Sequence, residues 1–229
     1  MISFTPKYIT FDCYGTLINF TMSALTRSLY APTLITNPSF DMDRFLSFFT
    51  AYRLDECFGP YKPYKEVIAS ALRRTCARFD PAVISYDAQI AEQLYAAVPT
   101  WGPHPDVPEG LQRLVAKGYK LVILSNAADE QIMQNVAQLG AEFHAVVTAE
   151  QVKSYKPRMQ GFEMMYERLG CRPEETLHVS SSLRYDLIVA DGLGVGGTVL
   201  VKRAGEPEIS GYGVHEVNTI GELADWLGC

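Results

Sequence analysis

The sequence predicts an α/β fold in which a doubly wound parallel sheet carries an inserted helical cap. Three observations predict it. Short apolar runs, the first at 8–11, are bounded by polar turn residues, the pattern of strands buried on both faces. From about residue 99 such runs alternate with helical periods, which implies βαβ units and parallel pairing. Between 18 and 98 the strand pattern stops and only helical periods occur. The expected division is a core of 1–17 and 99–229 around a cap of 18–98.

The first strand ends in Asp12, followed by a glycine-containing turn and Thr16. A carboxylate at the carboxyl end of such a strand sits where open α/β sheets place their ligands. Asp followed by Gly is also ordinary turn chemistry. A site is favoured because later strand ends and loops carry polar residues too: Ser125-Asn126, Lys156, and Ser180 to Asp186.

In the cap, helices are expected at 22–30, 41–58, 64–79 and 87–98, with Asp41 as a cap and Gly59-Pro60 as a stop. The segment 100–105, stiffened by two prolines, reads as the return linker. Beyond it, helices at 107–117, 128–139, 159–169, 183–193 and 220–227 alternate with strands at 119–124, 143–148, 176–179 and 197–202. Gly170 suits a helix C-cap. The glycine-rich stretch 192–197 ends a helix and enters a strand, the reverse of a nucleotide loop, so it is set aside. Phe45, Phe48, Phe49 and Tyr52 fall at helical spacing and read as cap core.

Composition narrows the function. The 229 residues can bury roughly 70% of their unfolded surface. A net charge of −6 without a basic cluster argues against a nucleic-acid partner. An anionic substrate must therefore be met by local positive charge. Five cysteines without CxxC spacing suggest neither a disulfide framework nor a zinc site, and Cys13 reads as a small buried hydrophobe. There is no signal-peptide pattern and no run of about 20 apolar residues, so the expectation is a cytoplasmic protein with no membrane partner.

Asp12-Cys13-Tyr14-Gly15-Thr16 after a strand, Ser125-Asn126 after a second, Lys156-Pro157 in a loop and Ser180-Ser181-Ser182…Asp186 after a further strand resemble the haloacid dehalogenase superfamily. The match runs in order over nearly the whole chain. Within the superfamily it is similar to the L-2-haloacid dehalogenases rather than the phosphatases. The resemblance implies a Rossmann-like core. Superfamily phosphatases carry a second aspartate two residues after the nucleophile and a metal-binding aspartate in a later Gly-Asp loop. Those positions here are Tyr14 and Ser181. Magnesium wants carboxylate and phosphate oxygens, so the expectation is no metal, no other cofactor and no phosphoryl transfer.

The resemblance also implies roles. Asp12 attacks C2 of a small carboxylic acid and forms an ester. Lys156, unless it is a solvated loop lysine, lowers the Asp12 pKa and keeps it ionised. Ser125, Asn126 and the 14–16 turn, including Tyr14, hold the substrate, and Thr16 braces the Asp12 loop. Asp186 activates water, with Ser180 and Ser182 as positioners. Two departures stand out: the loop is one residue longer than Ser-Ser-Asn-x-x-Asp, with Ser182 where asparagine is expected, and Phe162 replaces a tyrosine. Arg53 is the candidate halide receiver, with a surface pairing to Asp55 or Glu56 as the alternative. The expected substrate is a short L-2-haloacid. The rivals are ring opening of L-azetidine-2-carboxylate by the same ester route, a phosphatase, and a non-catalytic binding protein. Homodimer formation is left open.

Overall fold

The structure, a computed structural model, describes residues 4–203 and 215–229. Its strands are β1 (Tyr8–Phe11), β2 (Leu121–Ser125), β3 (Ala145–Thr148), β4 (Thr176–Ser180), β5 (Gly197–Val201) and β6 (His215–Val217). They form one parallel sheet in the order β3-β2-β1-β4-β5-β6. The fold class is the expected α/β one. From β1 the chain builds outward on one side and then returns to build on the other. The strand order therefore reverses at β1, and the crevice at its carboxyl end is where such sheets take their ligands.

The register sets the two faces of the sheet. Thr10 pairs with Val122 on β2 and with His178 on β4. Because side chains alternate along a strand, Tyr8, Thr10 and His178 share a face with Leu124, while Ile9, Phe11, Leu177 and Val179 take the other.

The chain forms two compact units, Thr21–Trp101 and the remainder. These bounds fall a few residues beyond 18 and 98 because Ile18 bridges to Tyr14 and Pro103, and the Asn19 N–H donates to the Gly102 carbonyl at 2.9 Å. The helical unit comprises α1 (Met22–Leu29), α2 (Ala31–Thr36), α3 (Met42–Phe58), α4 (Tyr64–Cys76) and α5 (Ala88–Ala97). Asp41 caps α3 by accepting from the Arg44 N–H at 2.9 Å. Phe45 and Phe49 are buried core. Helix α2 was not expected, and Pro32 lies within it. The proline sits in the first turn, where its missing N–H costs nothing.

The core helices are α6 (Val107–Ala116), α7 (Asp129–Val136), α8 (Ala149–Val152), α9 (Gln160–Leu169), α10 (Ile188–Gly192) and α11 (Ile220–Trp226). Phe162, Met165 and Tyr166 of α9 pack on Tyr8, Val122, Leu124 and Val147. Helices α6 and α11 touch through Gly110, where a Cβ would lie 2.7 Å from the Ile220 backbone. The short α8 and β6 were not expected, and the helix expected over 183–193 begins as a wider π turn at Leu183–Leu187. Among the described residues no helix is long and apolar enough to cross a membrane.

Candidate active site

Three strand ends of the core unit and one loop converge on Lys156. Asp12 follows β1, and its N–H donates to Val179 at 3.0 Å. The loop bearing Lys156 is clamped at two points by Asn126: the Lys156 N–H donates to Oδ1 at 2.7 Å, and Nδ2 donates to the Lys156 carbonyl at 2.9 Å. Asn126, expected to touch substrate, thus spends its amide on placing Lys156. The ammonium, only 2% exposed, donates to Asp12 Oδ1 at 2.8 Å, to Asp186 Oδ1 at 2.7 Å and to the Leu124 carbonyl at 2.9 Å. That uses all three of its protons, so Lys156 is no solvated loop lysine.

Two carboxylates thus share one ammonium. Burial pushes the Asp12 carboxyl above its ordinary value; Lys156 opposes this, but the Asp186 charge adds to the rise. Lys156 lowers it, as expected, but burial and the Asp186 charge together outweigh the ammonium. Burial also acts upward on Asp186, yet Lys156 and His178 outweigh it and hold that carboxyl low. Burial works against the Lys156 charge, and its two carboxylates more than restore it.

The nucleophile turn is held from several sides. The Thr16 hydroxyl donates to Asp12 Oδ2 at 2.7 Å and accepts from the Ser181 N–H at 2.8 Å. Gly15 has a φ of +96°, a conformation that favours glycine, and a Cβ there would lie 3.4 Å from Ser181 Oγ. Arg203 donates to the Thr16 carbonyl from Nε at 3.2 Å and from Nη2 at 3.0 Å, and forks onto Asp106 at 2.8 and 3.1 Å. Sequence reasoning missed Arg203, which reads only as the end of a strand. The Tyr14 hydroxyl donates to Asn135 Oδ1 of α7 at 2.8 Å.

Asp186 is brought to Lys156 by the π turn. The Leu187 N–H reaches back five residues to the Ser182 carbonyl at 3.2 Å, so the wider turn absorbs the extra residue of this loop. Ser182 Oγ caps the turn by accepting from the Tyr185 N–H at 3.2 Å, and Ser180 Oγ accepts from the Ser182 N–H at 2.9 Å. Both hydroxyls serve the backbone. His178, also missed, is fully buried; it contacts Asp186 Oδ1 at 3.1 Å and Thr10 Oγ1 at 2.8 Å. Its signal was its register with Thr10, two residues before Asp12. Phe162 packs edge-on against His178 at 5.0 Å.

Two of the site's buried polar atoms, Ser125 Oγ and Asp186 Oδ2, have no hydrogen-bond partner among the described residues, and such atoms ask for a ligand or water. Ser181, standing where phosphatases have a metal-binding aspartate, is bonded to Thr16. No group of three or more His, Cys, Asp or Glu side chains gathers as a metal site among the described residues. The residues present do not fit a magnesium centre.

In the helical unit, the Arg53 guanidinium lies over the Phe49 ring at 5.0 Å and donates to Thr50 Oγ1 at 3.4 Å. The acids weighed as its partners are held by others: Asp55 by Arg74 at 2.7 Å, and Glu56 by Arg74 at 2.6 Å, Ser70 at 2.9 Å and Lys62.

The sequence pattern of haloacid dehalogenase-like hydrolases matches residues 6–194. An (S)-2-haloacid dehalogenase of Pseudomonas putida is 30% identical over 178 residues, which cover 76% of this chain and 77% of that protein. A glyceraldehyde 3-phosphate phosphatase of Methanothermobacter thermautotrophicus is 28% identical over 132 residues, covering 55% and 58%. The crystal structure of a dehalogenase with an intermediate complex superposes with a TM-score of 0.77 at 25% identity, covering 97% of each chain. The chain belongs to the haloacid dehalogenase-like hydrolase family.

Proposed function

We propose that the protein is an L-2-haloacid dehalogenase acting through an ester of Asp12. The observation that carries the reading is a buried Asp12–Lys156–Asp186 array in which Tyr14 and Ser181 replace the two carboxylates of the phosphatase relatives. An Asp12 oxygen attacks C2, the carbon–halogen bond breaks, and the halide leaves with the electron pair. No general acid is needed, because the leaving group is already a stable anion. Water then attacks the Asp12 carbonyl carbon. One water proton passes to Asp186 and returns to the departing C2 oxygen; the other is lost from Asp12 as it regains its charge. The product is a 2-hydroxy acid.

Ring opening of azetidine-2-carboxylate would require a proton for the leaving amine. Glu56, the buried acid of α3, is a poor donor for that task. Burial acts upward on its carboxyl, but hydrogen bonds from Lys62, Arg74 and Ser70 outweigh it and keep the group ionised.

The test is chloride release from L-2-chloropropionate with EDTA present, followed by one turnover in heavy-oxygen water with enzyme in excess. The label is expected in Asp12 before it appears in product. Label in product alone would make Asp12 a base. Magnesium-dependent phosphate release at about 1 per second or faster, without chloride release, would overturn the reading.

A further inference from the structure

The array described above leaves one buried titratable group without a role, His178 of β4. Its imidazole is fully enclosed and makes two polar contacts, Nε2 to Asp186 Oδ1 at 3.1 Å and Nδ1 to Thr10 Oγ1 at 2.8 Å. Phe162 of α9 covers a ring edge. We propose that His178 is a positioning residue for Asp186: it pins one carboxylate oxygen through its Nε2–H, so that the other oxygen faces the water of ester hydrolysis.

The contact with Asp186 fixes which ring atom donates to it: an ionised Asp186 can only accept, so Nε2 carries a proton. On its other side the ring meets the Thr10 hydroxyl, Nδ1 to Oγ1 at 2.8 Å, closer than that hydroxyl stands to the Leu177 carbonyl at 3.4 Å. The strand register explains why this pair meets, since Thr10 and His178 are partners on adjacent parallel strands. Thr10 orients the ring, the ring orients Asp186, and Lys156 holds the same Oδ1 from the far side at 2.7 Å. With Oδ1 bonded twice, Oδ2 is the oxygen left without a partner. The charged and titratable groups around Asp186 are therefore Lys156 from the loop before α9, His178 from β4, and Asp12 beyond the shared ammonium. His178 touches no reacting atom.

The first arm of the test needs no substrate. In nitrogen-15-labelled protein the His178 ring is expected to carry a proton on Nε2, with Asp186→Asn and Thr10→Val each disturbing its signals. A ring with no proton on Nε2, or one indifferent to Asp186→Asn, overturns the proposal. The second arm is kinetic and rests on the dehalogenase reading. His178→Phe keeps the shape and removes the donor; His178→Gln places an amide N–H where Nε2 stood. His178→Phe is expected to slow ester hydrolysis by about 10²-fold, the scale of a misplaced catalytic group. The Asp12 ester should then accumulate, and the acid limb of its hydrolysis should move to higher pH because Asp186 loses a donor. His178→Gln should restore the limb and most of the rate, which a purely structural role would not do. An unmoved limb in His178→Phe, or a glutamine variant as slow as the phenylalanine one, overturns the proposal. If the wild-type protein releases no halide from any 2-haloacid, the dehalogenase reading falls by itself, and the nitrogen-15 measurement still decides the His178–Asp186 contact.

Discussion

Glu56 in the helical unit and Asp12 in the core are both mostly buried, 8% and 7% exposed, and both accept from a lysine ammonium. Their surroundings push them in opposite directions. Glu56 has Lys62, Arg74 and Ser70 around one carboxylate, enough to outweigh its burial and hold its pKa low. At Asp12 burial outweighs the bonds from Thr16 and from a Lys156 shared with Asp186, whose charge adds to the rise, and its pKa is held high. A salt bridge at a buried acid therefore says little by itself. What separates these two carboxylates is whether the cations each can claim, after its neighbours are counted, outweigh its burial.

The sharpest way to break this contrast is to neutralise each acid. Asp12→Asn should lose activity on the order of 10⁶-fold, as removal of a nucleophile does. Because the folded pKa of Asp12 is raised, its ionised form is disfavoured by folding, and that cost is present once pH rises through the folded value. The asparagine variant should consequently be no less stable than the wild type at neutral pH, as urea unfolding will show. Glu56→Gln should do the reverse. Its folded pKa is depressed, so the stability it contributes is present above the unfolded value and fades as pH falls through the folded one, below 4.5. A loss of about 1–3 kcal/mol at neutral pH is expected, shrinking in acid, with turnover of the folded protein near wild type. Equal losses of stability in the two variants would remove the distinction.

A smaller effect tests the sharing itself. The Asp186 charge adds to the elevation of Asp12, after burial and against Lys156. In Asp186→Asn, Asp12 has the ammonium without a competing charge, so the acid limb of ester formation should move to lower pH. Single-turnover rates across pH, measured as ester formed, read this apart from the later hydrolysis. A limb that stays or moves upward means that Asp186 does not compete for Lys156.

The sequence made most of this legible at the level of residues and little of it at the level of balance. Asp12, Lys156 and Asp186 stand after strands or in a conspicuous loop, and the structure brings both carboxylates within bonding distance of the Lys156 ammonium. The direction of the Asp12 shift was not legible, because it depends first on how deeply the folded chain buries the carboxyl and then on a carboxylate far along the chain that claims the same ammonium. His178 was hidden for a related reason. A single histidine in the apolar run 176–179 reads as core, and only the pairing of β1 with β4 sets it beside Thr10. Arg203 binds the Thr16 carbonyl across 187 residues of sequence, a contact no local pattern encodes. Helix α2 was concealed by a proline that marks a helix start as readily as a break.

The loop before α10 gives the smallest expected effect and concerns how the shared site was assembled. The motif this chain resembles often reads Ser-Ser-Asn-x-x-Asp, whereas Leu183, Arg184 and Tyr185 stand here between Ser182 and Asp186. In an α-helical turn the extra residue would rotate every later side chain by about 100° and carry Asp186 away from Lys156. The turn is instead wound wider, with Leu187 bonding back five residues to Ser182, and Asp186 keeps its 2.7 Å contact. Arg184 is exposed and Tyr185 only partly buried, so the added residue is accommodated on the outer side of the turn. Deleting Arg184 should let the turn close to the ordinary four-residue repeat with Asp186 still at Lys156. The deletion variant is expected to keep ester hydrolysis within about 10-fold, far less than the roughly 10²–10⁴-fold that loss of an acid-base group brings. If it behaves like Asp186→Asn, with the ester accumulating and the acid limb of its formation shifted, then the π turn itself aims Asp186, and the length of this loop is part of the site.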